Sequence, residues 1–490
     1  MQTVPLFGAG VFGKSAVVTR QRRLNCYYEN RPDGDKAKVV IYGTPGLIIN
    51  FTNPTVAQAI RGILSTNETN LYTVAGNLFQ QITPPNNSLG IGGAASVSAS
   101  ATLGSSGSSP VSMCSNPGAT QVLVVDGSSG YVWNGTAFVA CGAWFVPGSQ
   151  TCTNVAGYFV TEQAGTPNFN VSNINDATTG SGLSYAAASA FPEIIQAVDN
   201  LNGNLILFSQ QHMEFWQNAQ TPPPSQPFVV ISAATNQWGL AATFSRAHVD
   251  NALLFLGETT TGVRRVCRLD GYTVTPISEE IDWIINQPGF VYSDAEALVY
   301  QRDKHPFYQI TFPTMGRSFL FDLSTGISSE VQTGVSAPPI RHQARWSSYW
   351  NGQLLLTDYQ NSNVYQMSDT QFTDNGVTIQ RQVVTKHTVK GFNRFRVPLL
   401  YLDMETGVGL QSGQGKTPQI MLECSKDNGR TWLGPRLINL GAIGQYVTRV
   451  VARRFGMSRV FTWRITMTDP VKFVITDGAI MVKEKRGGTF

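Results

Sequence analysis

The chain is a succession of short apolar or alternating segments separated by Gly, Asn, Asp and Pro turns, and stretches with a helical repeat are nearly missing. Alternation with period two puts one side of a segment against a core and the other toward water or a second layer, so the pattern predicts strands and hairpins. One unit recurs: an apolar strand, a polar turn, an alternating strand with an aromatic or apolar pair, then a Gly/Asn/Asp turn. It reads as RGILSTNETNLYTVAGNLFQQI from Arg61, QVLVVDGSSGYVWNGTAFVAC from Gln121, GYFVTEQAGTPNFNVSNIND from Gly157 and NGNLILFSQQHMEFWQNA from Asn202. Further copies are NALLFLGETTTGVRRVCRLDGYTVTPI from Asn251, FYQITFPTMGRSFLFDLSTGISSE from Phe307 and GQLLLTDYQNSNVYQMSD from Gly352.

With Tyr72, Tyr131, Phe169, Phe215, Val266, Phe319 and Val364 taken as equivalent, the steps are 59, 38, 46, 51, 53 and 45 residues. Four-stranded propeller blades repeat at roughly 40 to 50 residues. One blade cannot cover both of its faces, whereas a closed ring of blades covers them all and leaves few open edges. The expected fold is therefore all-β: a β-propeller-like body of about seven blades, with six to eight compatible, followed by a C-terminal β-sandwich or β-barrel-like module. The oversized first step is read as a Ser/Gly-rich insertion over residues 88–110. Residues 1–60 are expected as an extended segment packing on the body, residues 61–378 as the body, and residues 379–490 as the separate module, where longer basic strands begin. A single helix is predicted at SEEIDWIIN, with Ser278 as its cap and Ile281, Ile284 and Ile285 on one face.

Composition changes this picture in one respect. Only 13% of residues are charged, against 42% hydrophobic and 10% aromatic. Gly, Ser, Thr, Asn and Gln replace the missing charge, which suits many turns and broad contact surfaces more than disorder. The charge is also unevenly placed: residues 1–60 carry +4, residues 61–379 carry −11 with 21 acidic and 10 basic side chains, and residues 380–490 carry +11 with 18 basic and 7 acidic. That split marks separate modules. No apolar run reaches the ~18 residues needed to span a bilayer, so no stable membrane insertion is expected. Cys26, Cys114, Cys141, Cys152, Cys267 and Cys424 are scattered without a CxxC pair and read as small core residues, not a disulfide or zinc framework.

Candidate chemistry is sparse. Gly8 to Ser15 matches the phosphate-loop pattern GxxxxGK[ST], but no helix signal follows Lys14 and no buried strand precedes Gly8, so the match reads as a glycine-rich turn. Ser425, Asp427, Gly429, Thr431 and Trp432 fit an Asp-box, S-x-D-x-G-x-T-W, which locks a hairpin: Asp427 and Ser425 bind turn amides, Gly429 supplies positive φ and Trp432 packs on the hairpin. Glu279, Glu280 and Asp282 read as the solvated start of the short helix, not as a glycosidase pair. His212, His248, His305, His342 and His387 have no metal-ligand spacing. No catalytic residue, cofactor or metal is expected, and the chain reads as a non-enzyme. Arg449, Arg453, Arg454, Arg459 and Arg464 form a candidate basic face for subunit contact, opposite the acidic body. Trp216, Trp238 and Trp346, read as exposed, together with the Asp-box leave a carbohydrate-binding or glycan-processing propeller as the alternative.

In order along the chain come QRRLNCYYEN and YGTPGL near the N-terminus, PVSMCSNPGATQVLVVDG from Pro110, MEFWQNA from Met213, VTPISEEIDWII from Val274 and the Arg-rich β pair from Tyr446 to Val482. In this order they resemble the tail hub, or nozzle, family of short-tailed phages, the packaged-DNA stabilisation proteins. The resemblance implies a virion structural protein of the tail, assembled in the host cytoplasm. It implies a ring of copies, usually six, below the portal adaptor, which continues the DNA channel and anchors tail fibres, tailspikes or a plug. DNA passage would be transient and non-specific, and acidic residues of the body are expected to line part of the channel so that DNA slides without sticking.

Overall fold

The computed structural model describes residues 2–7, 14–15, 17–31, 39–66, 70–83, 95–221, 226–391 and 393–484. Among them the repeated unit becomes seven antiparallel β-sheets, each with four strand positions, arranged as blades 1 to 7 in chain order. Blade 1 begins at Ile60–Thr66, blade 2 at Ser112–Ser115, blade 3 at Cys152–Val155 and blade 4 at Ile195–Leu201. In blade 5 the first position is shared by two short strands, Trp238–Leu240 and Ala247–Val249, both paired with Ala252–Thr259. Blades 6 and 7 begin at Glu296–Arg302 and Ala344–Trp350. The first strands of successive blades touch one another, those of blades 4 and 5 through the His248–Asp199 pair, and the first strand of blade 7 meets that of blade 1, so they line the centre of a closed ring.

Blade 7 explains how the ring closes. Its first three strands are Ala344–Trp350, Gln353–Asp358 and Asn363–Ser368, and its fourth is Gly46–Thr52, from the other end of the chain. Such an exchange turns the last two open edges into ladder hydrogen bonds, and separating the chain termini then requires breaking a blade.

The core is divided among the gaps between blades. Phe79, Val122 and Trp133 pack between blades 1 and 2, and Trp144 and Phe159 between 2 and 3. Phe169 and Trp216 fill the gap between 3 and 4, and Phe208, Phe215 and Phe255 that between 4 and 5. Ile281, Ile284 and Ile285 join Tyr308 and Phe321 between 5 and 6, Tyr300 and Leu356 pack between 6 and 7, and Phe51 and Trp350 between 7 and 1. Burying one such side chain contributes roughly 1.5–3 kcal/mol, so the aromatic pair in each unit is what glues its blade to the next.

Two details differ from the expected repeat. Tyr72 lies on the second strand of blade 1, Asn70–Ala75, whereas Tyr131, Phe169, Phe215, Val266, Phe319 and Val364 all lie on third strands. The true equivalent of Tyr72 is Phe79, on Leu78–Thr83, which shortens the first step to 52 residues. Both strands alternate and carry an aromatic, so the pattern alone could not tell them apart. Within the Ser/Gly-rich stretch, residues 88–94 lie outside the described residues, and Ser96–Thr102 is the fourth strand of blade 1 and not part of a loop insertion. Its Val97, Ala99 and Ala101 are small enough to pack on the neighbouring cores without an aromatic signature.

The short helix spans only Asp282–Ile285, and its cap residue is Ile281. Ser278 does not cap it with its side chain: the hydroxyl accepts the Val266 N–H at 2.7 Å and donates to Asp282 at 2.5 Å.

The C-terminal module is a β-sandwich. One sheet runs Cys26–Asn30, Val39–Gly43, Val474–Glu484, Phe395–Met404, Val450–Ser458, with Gln2–Pro5 beside Val474–Glu484. The other runs Arg381–Val384, Val460–Met467, Gln419–Ser425, Leu433–Asn439. Phe395, Phe455, Phe461 and Trp463 fill the space between them. Residues 1–60 are thus distributed over the molecule. Three of their strands belong to the sandwich, Gly46–Thr52 completes blade 7, and Arg22–Leu24 pairs in parallel with Ile327–Val331 of blade 6 and antiparallel with Arg381–Val384. Blade 6 and one sandwich sheet are consequently a single hydrogen-bonded sheet.

Candidate functional site

The strand Arg22–Leu24 and the residue after it join the two modules. Asn25 is buried at 1% exposure and adopts φ 51°, the left-handed region that Asn tolerates better than most residues. Its backbone N–H donates to the Glu330 carbonyl at 2.9 Å, and its own carbonyl accepts from Thr44 at 2.9 Å. Its side-chain amide donates to the carbonyls of Gln332 (3.0 Å) and Gln380 (2.9 Å), and its Oδ1 accepts the Gln332 N–H at 2.9 Å. One side chain therefore ties the N-terminal segment, the end of blade 6 and the start of the sandwich.

The arginines beside it serve the body. Arg23 Nη2 holds both oxygens of Glu280 at 2.8 and 2.7 Å and Arg23 Nε donates to the Ser328 carbonyl, so Glu280 is an ion-pair partner and not a solvated helix start. Arg22 grips Glu330 Oε2 at 2.9 and 2.6 Å while Arg317 grips Oε1 at 3.0 and 2.8 Å. Paired, planar guanidinium–carboxylate contacts of this kind fix orientation as well as charge.

Between this junction and the sandwich lies a groove of about 430 Å³, walled by Arg20, Arg22, Trp283, Arg317, Trp432 and Arg464 among others. The Asp-box forms part of its wall. Ser425 Oγ accepts the Gly429 N–H at 2.8 Å and donates to Asp427 at 2.7 Å. Asp427 Oδ1 accepts the N–H groups of Arg430 and Thr431 at 3.0 and 2.9 Å, and its Oδ2 accepts the Thr431 hydroxyl at 2.5 Å. The Thr431 hydroxyl and amide, with the Ser425 hydroxyl, hold the Asp427 carboxyl well below its ordinary range. Gly429 has φ 78°, which favours glycine in the turn, and a methyl there would come within 3.1 Å of Arg20 Cγ, a tight contact that would push the Arg20 stem away. Trp432 lies under the Arg464 guanidinium at 4.5 Å.

The candidate basic face divides. Arg449, Arg453, Arg454 and Arg459 are exposed on and beside the edge strand Val450–Ser458. Arg464 belongs to the opposite sheet, half-buried in the groove and paired with Glu423 at 2.5 and 2.7 Å. Arg436 on Leu433–Asn439 donates to the carbonyls of Arg453 and Arg454, an edge contact invisible in the sequence.

Part of the acidic excess expected to line a channel, nine of 21 carboxylates, is under cover. Asp126, Glu162, Glu214, Glu258, Glu296, Asp322, Glu330, Asp358 and Asp374 are buried. Burial lifts the carboxyls of Glu162 and Asp374 to about 7. Asp199 goes the other way: burial opposes its ionisation, yet Arg246 at 2.6 Å and His248 at 2.8 Å hold it down at about 2. These carboxylates failed to reach the surface because each closes a polar contact inside the ring.

The remaining candidates fall as follows. Trp216 is buried between blades 3 and 4 with its indole N–H on Glu214, and Trp238 is packed into the core between blades 4 and 5, so the aromatic platform behind a carbohydrate reading does not form. Trp346 is half-buried beside Phe244. Gly8–Gly13 lie outside the described residues; Lys14 and Ser15 are exposed, and the chain from 17 to 21 is turn and extended, not helix. His212 and His305 pair with Glu193 and Asp322, His387 meets Thr462, and His342 is half-buried, its pKa held down at about 4 by desolvation and Arg341. Cys26, Cys152, Cys267 and Cys424 are buried, Cys114 and Cys141 partly so, and all are free thiols.

Comparison with known families matches both modules. Residues 24–372 match the family described as "Bacteriophage P22 Gp10, beta-propeller", and residues 380–483 match "Bacteriophage P22 Gp10, beta-sandwich". No curated protein matches the chain. Among solved structures, the β-propeller domain of Myceliophteria thermophila Cps50 (Swd1) is 8% identical, covers 65% of this chain and 100% of its own, and has a TM-score of 0.38. The WD40 domain of Toxoplasma gondii coronin is 10% identical over 74% of this chain and 87% of its own, with a TM-score of 0.38. The computationally designed Ika8 protein is 8% identical over 66% of this chain and 100% of its own, again at 0.38. These likenesses are loose, and the family assignment does not rest on them.

Proposed function

Since the chain belongs to the bacteriophage P22 Gp10 family and is a phage structural protein, we propose that it builds the tail hub, or nozzle, a ring of copies that continues the DNA channel below the portal adaptor. In this reading the ring sits in the virion tail, anchors tail fibres, tailspikes or a plug, and lets DNA through transiently and without sequence preference. The observation that carries it is the junction strand. A linker between two modules would let them swing, but Arg22–Leu24 makes blade 6 and the sandwich one sheet, and Asn25 locks it from the side. A body in which both modules move together suits a part that must transmit force between an adaptor and an appendage.

The closed propeller needs no neighbour to complete its blades, so subunit contacts are free to use the sandwich edge, where Arg449, Arg453, Arg454 and Arg459 stand in solvent. DNA sliding in this reading depends on a wall without dense basic charge, and nine of the body's 21 carboxylates are covered and cannot line it. The test is the mass and symmetry of the assembly, by light scattering and electron microscopy of the purified protein and of the particle. A closed ring, with six copies expected, supports the reading; a monomer in both settings overturns it.

A further inference from the structure

The groove at the junction has more positive charge than it can neutralise. Arg20, Arg22, Arg317 and Arg464 face it, and the carboxylates along it are Glu330 and Glu423. Glu330 is fully taken by Arg22 and Arg317, one on each oxygen, and Glu423 by Arg464. Arg20 is left over. Its Nε is buried and has no hydrogen-bond partner among the described residues, although its stem is held in place against Gly429 of the Asp-box. Arg20 as a whole is only half-buried, so its charge still reaches the open groove, and with no counter-ion beside it among the described residues it points to an anion that arrives from outside.

The surroundings say which kind. A second cavity of about 300 Å³ shares Arg22, Pro339, Gln382 and Arg464 with the first. Its other walls combine side-chain amides, Gln332 and Gln380, with apolar Leu24, Met421 and Pro435. Gln332 Oε1 is buried and also lacks a partner. Gln332 Nε2 is spent on Gly334 and on Gln380 Oε1, and Gln382 Nε2 on Thr466. That leaves the Gln380 amide N–H groups as donors and Gln382 Oε1 as an acceptor for a peptide backbone, while the prolines, methionine and Trp432 cover aliphatic surface. A nucleic-acid backbone would call for a row of cations without carboxylates between them, and here Glu330 and Glu423 interrupt the row.

We propose that this groove is a binding site for an acidic peptide segment of another protein, whose carboxylate pairs with Arg20 while its backbone lies along Gln380 and Gln382. The segment is not supplied by a second copy: the most acidic stretch of this chain, Ser278 to Asp282, has Glu280 engaged by Arg23 and Asp282 by Ser278 and Arg265. The Asp-box acquires a role in this arrangement, since it positions Arg20 through Gly429 and Arg464 through Trp432. The inference does not depend on ring formation.

The test uses the full chain and fluorescein-labelled hexaglutamate, followed by anisotropy at low salt. Saturable binding is expected, weakened at least tenfold by Arg20→Ala, partly restored in Arg20→Lys and unchanged in Arg453→Ala, with the same melting temperature in all four proteins. Among the described residues Arg20 Nε makes no hydrogen bond, so removal of the side chain is expected to leave a folded protein to measure. The proposal is overturned if binding is absent, if Arg20→Ala binds as well as the parent, or if inorganic phosphate or a short DNA duplex displaces the peptide as effectively as unlabelled hexaglutamate.

Discussion

In the propeller, nine carboxylates go inward; on the edge strand of the sandwich the guanidiniums stay out, although Arg381 in its other sheet is fully buried. Glu296 sits between two blade strands with Arg341 and Arg345 on it, the three side chains 7, 10 and 6% exposed. Arg345 also reaches the Ser108 carbonyl, so the cluster stitches blades 6 and 7 to the connection between blades 1 and 2. On the sandwich, Arg449, Arg453, Arg454 and Arg459 have no such enclosure. The lesson concerns what a segment's net charge measures. A formal −11 in the body is not a field of −11 at its surface, because ring closure brings distant carboxylates and arginines under cover together. Two of the neutralising cations, Arg22 and Arg23, come from outside the body altogether.

Three measurements sharpen or break this contrast. The largest effect is expected from Glu296→Gln, which leaves Arg341 and Arg345 buried without their shared counter-ion. Losing one member of a buried ionic group typically costs about 3–5 kcal/mol, readable by denaturant unfolding; a loss below about 1 kcal/mol would mean that water already reaches the cluster. A smaller effect is expected where the propeller's charge meets solvent. At His248 burial pulls the pKa down, but Asp199 outweighs it and the folded value lies above the ordinary 6.5. The contribution of that pair is therefore full below pH 6.5 and fades as pH rises through the folded value. His248→Gln should lower the melting temperature slightly at pH 6 and leave it unchanged at pH 9, solvent screening keeping the difference small; an equal difference at both values would remove charge as its cause. The smallest effect belongs to the sandwich edge: Arg453→Ala should change stability by no more than about 0.5 kcal/mol, and a larger loss would show that the edge arginines, like the acids of the body, hold the fold.

Much of the architecture was legible because a blade is a local object. Alternation, turns and the aromatic of the third strand all lie within one unit of the chain, so about seven units, with six to eight compatible, could be read before their arrangement was known. Blade 1 shows where this fails. Tyr72 and Phe79 sit on neighbouring strands of similar pattern, and Ser96–Thr102 carries no large side chain to mark it as a strand. The Asp-box was legible for the same reason as the blades: its bonds run between residues no more than four apart. The junction was not. Asn25 stands in LNCYYEN like any polar residue between strands, and its three side-chain bonds go to positions more than 300 residues away. Trp216 misled in the opposite way, since a large aromatic near polar residues reads equally well as surface or as core.

The sequence by itself determined that the chain is built of β-blades followed by a different β module, and that its Ser425–Trp432 hairpin is locked by Asp427. Those features depend on contacts a few residues apart and on the period of burial along a strand. Only the tertiary structure decided which strand closes the ring, where the charges went and that Arg20 Nε has no partner among the described residues. Pairing of Gly46–Thr52 with Asn363–Ser368, or of Arg22 with Glu330, depends on two distant segments being brought together, and the strength of a charge depends on how much water remains around it once they meet.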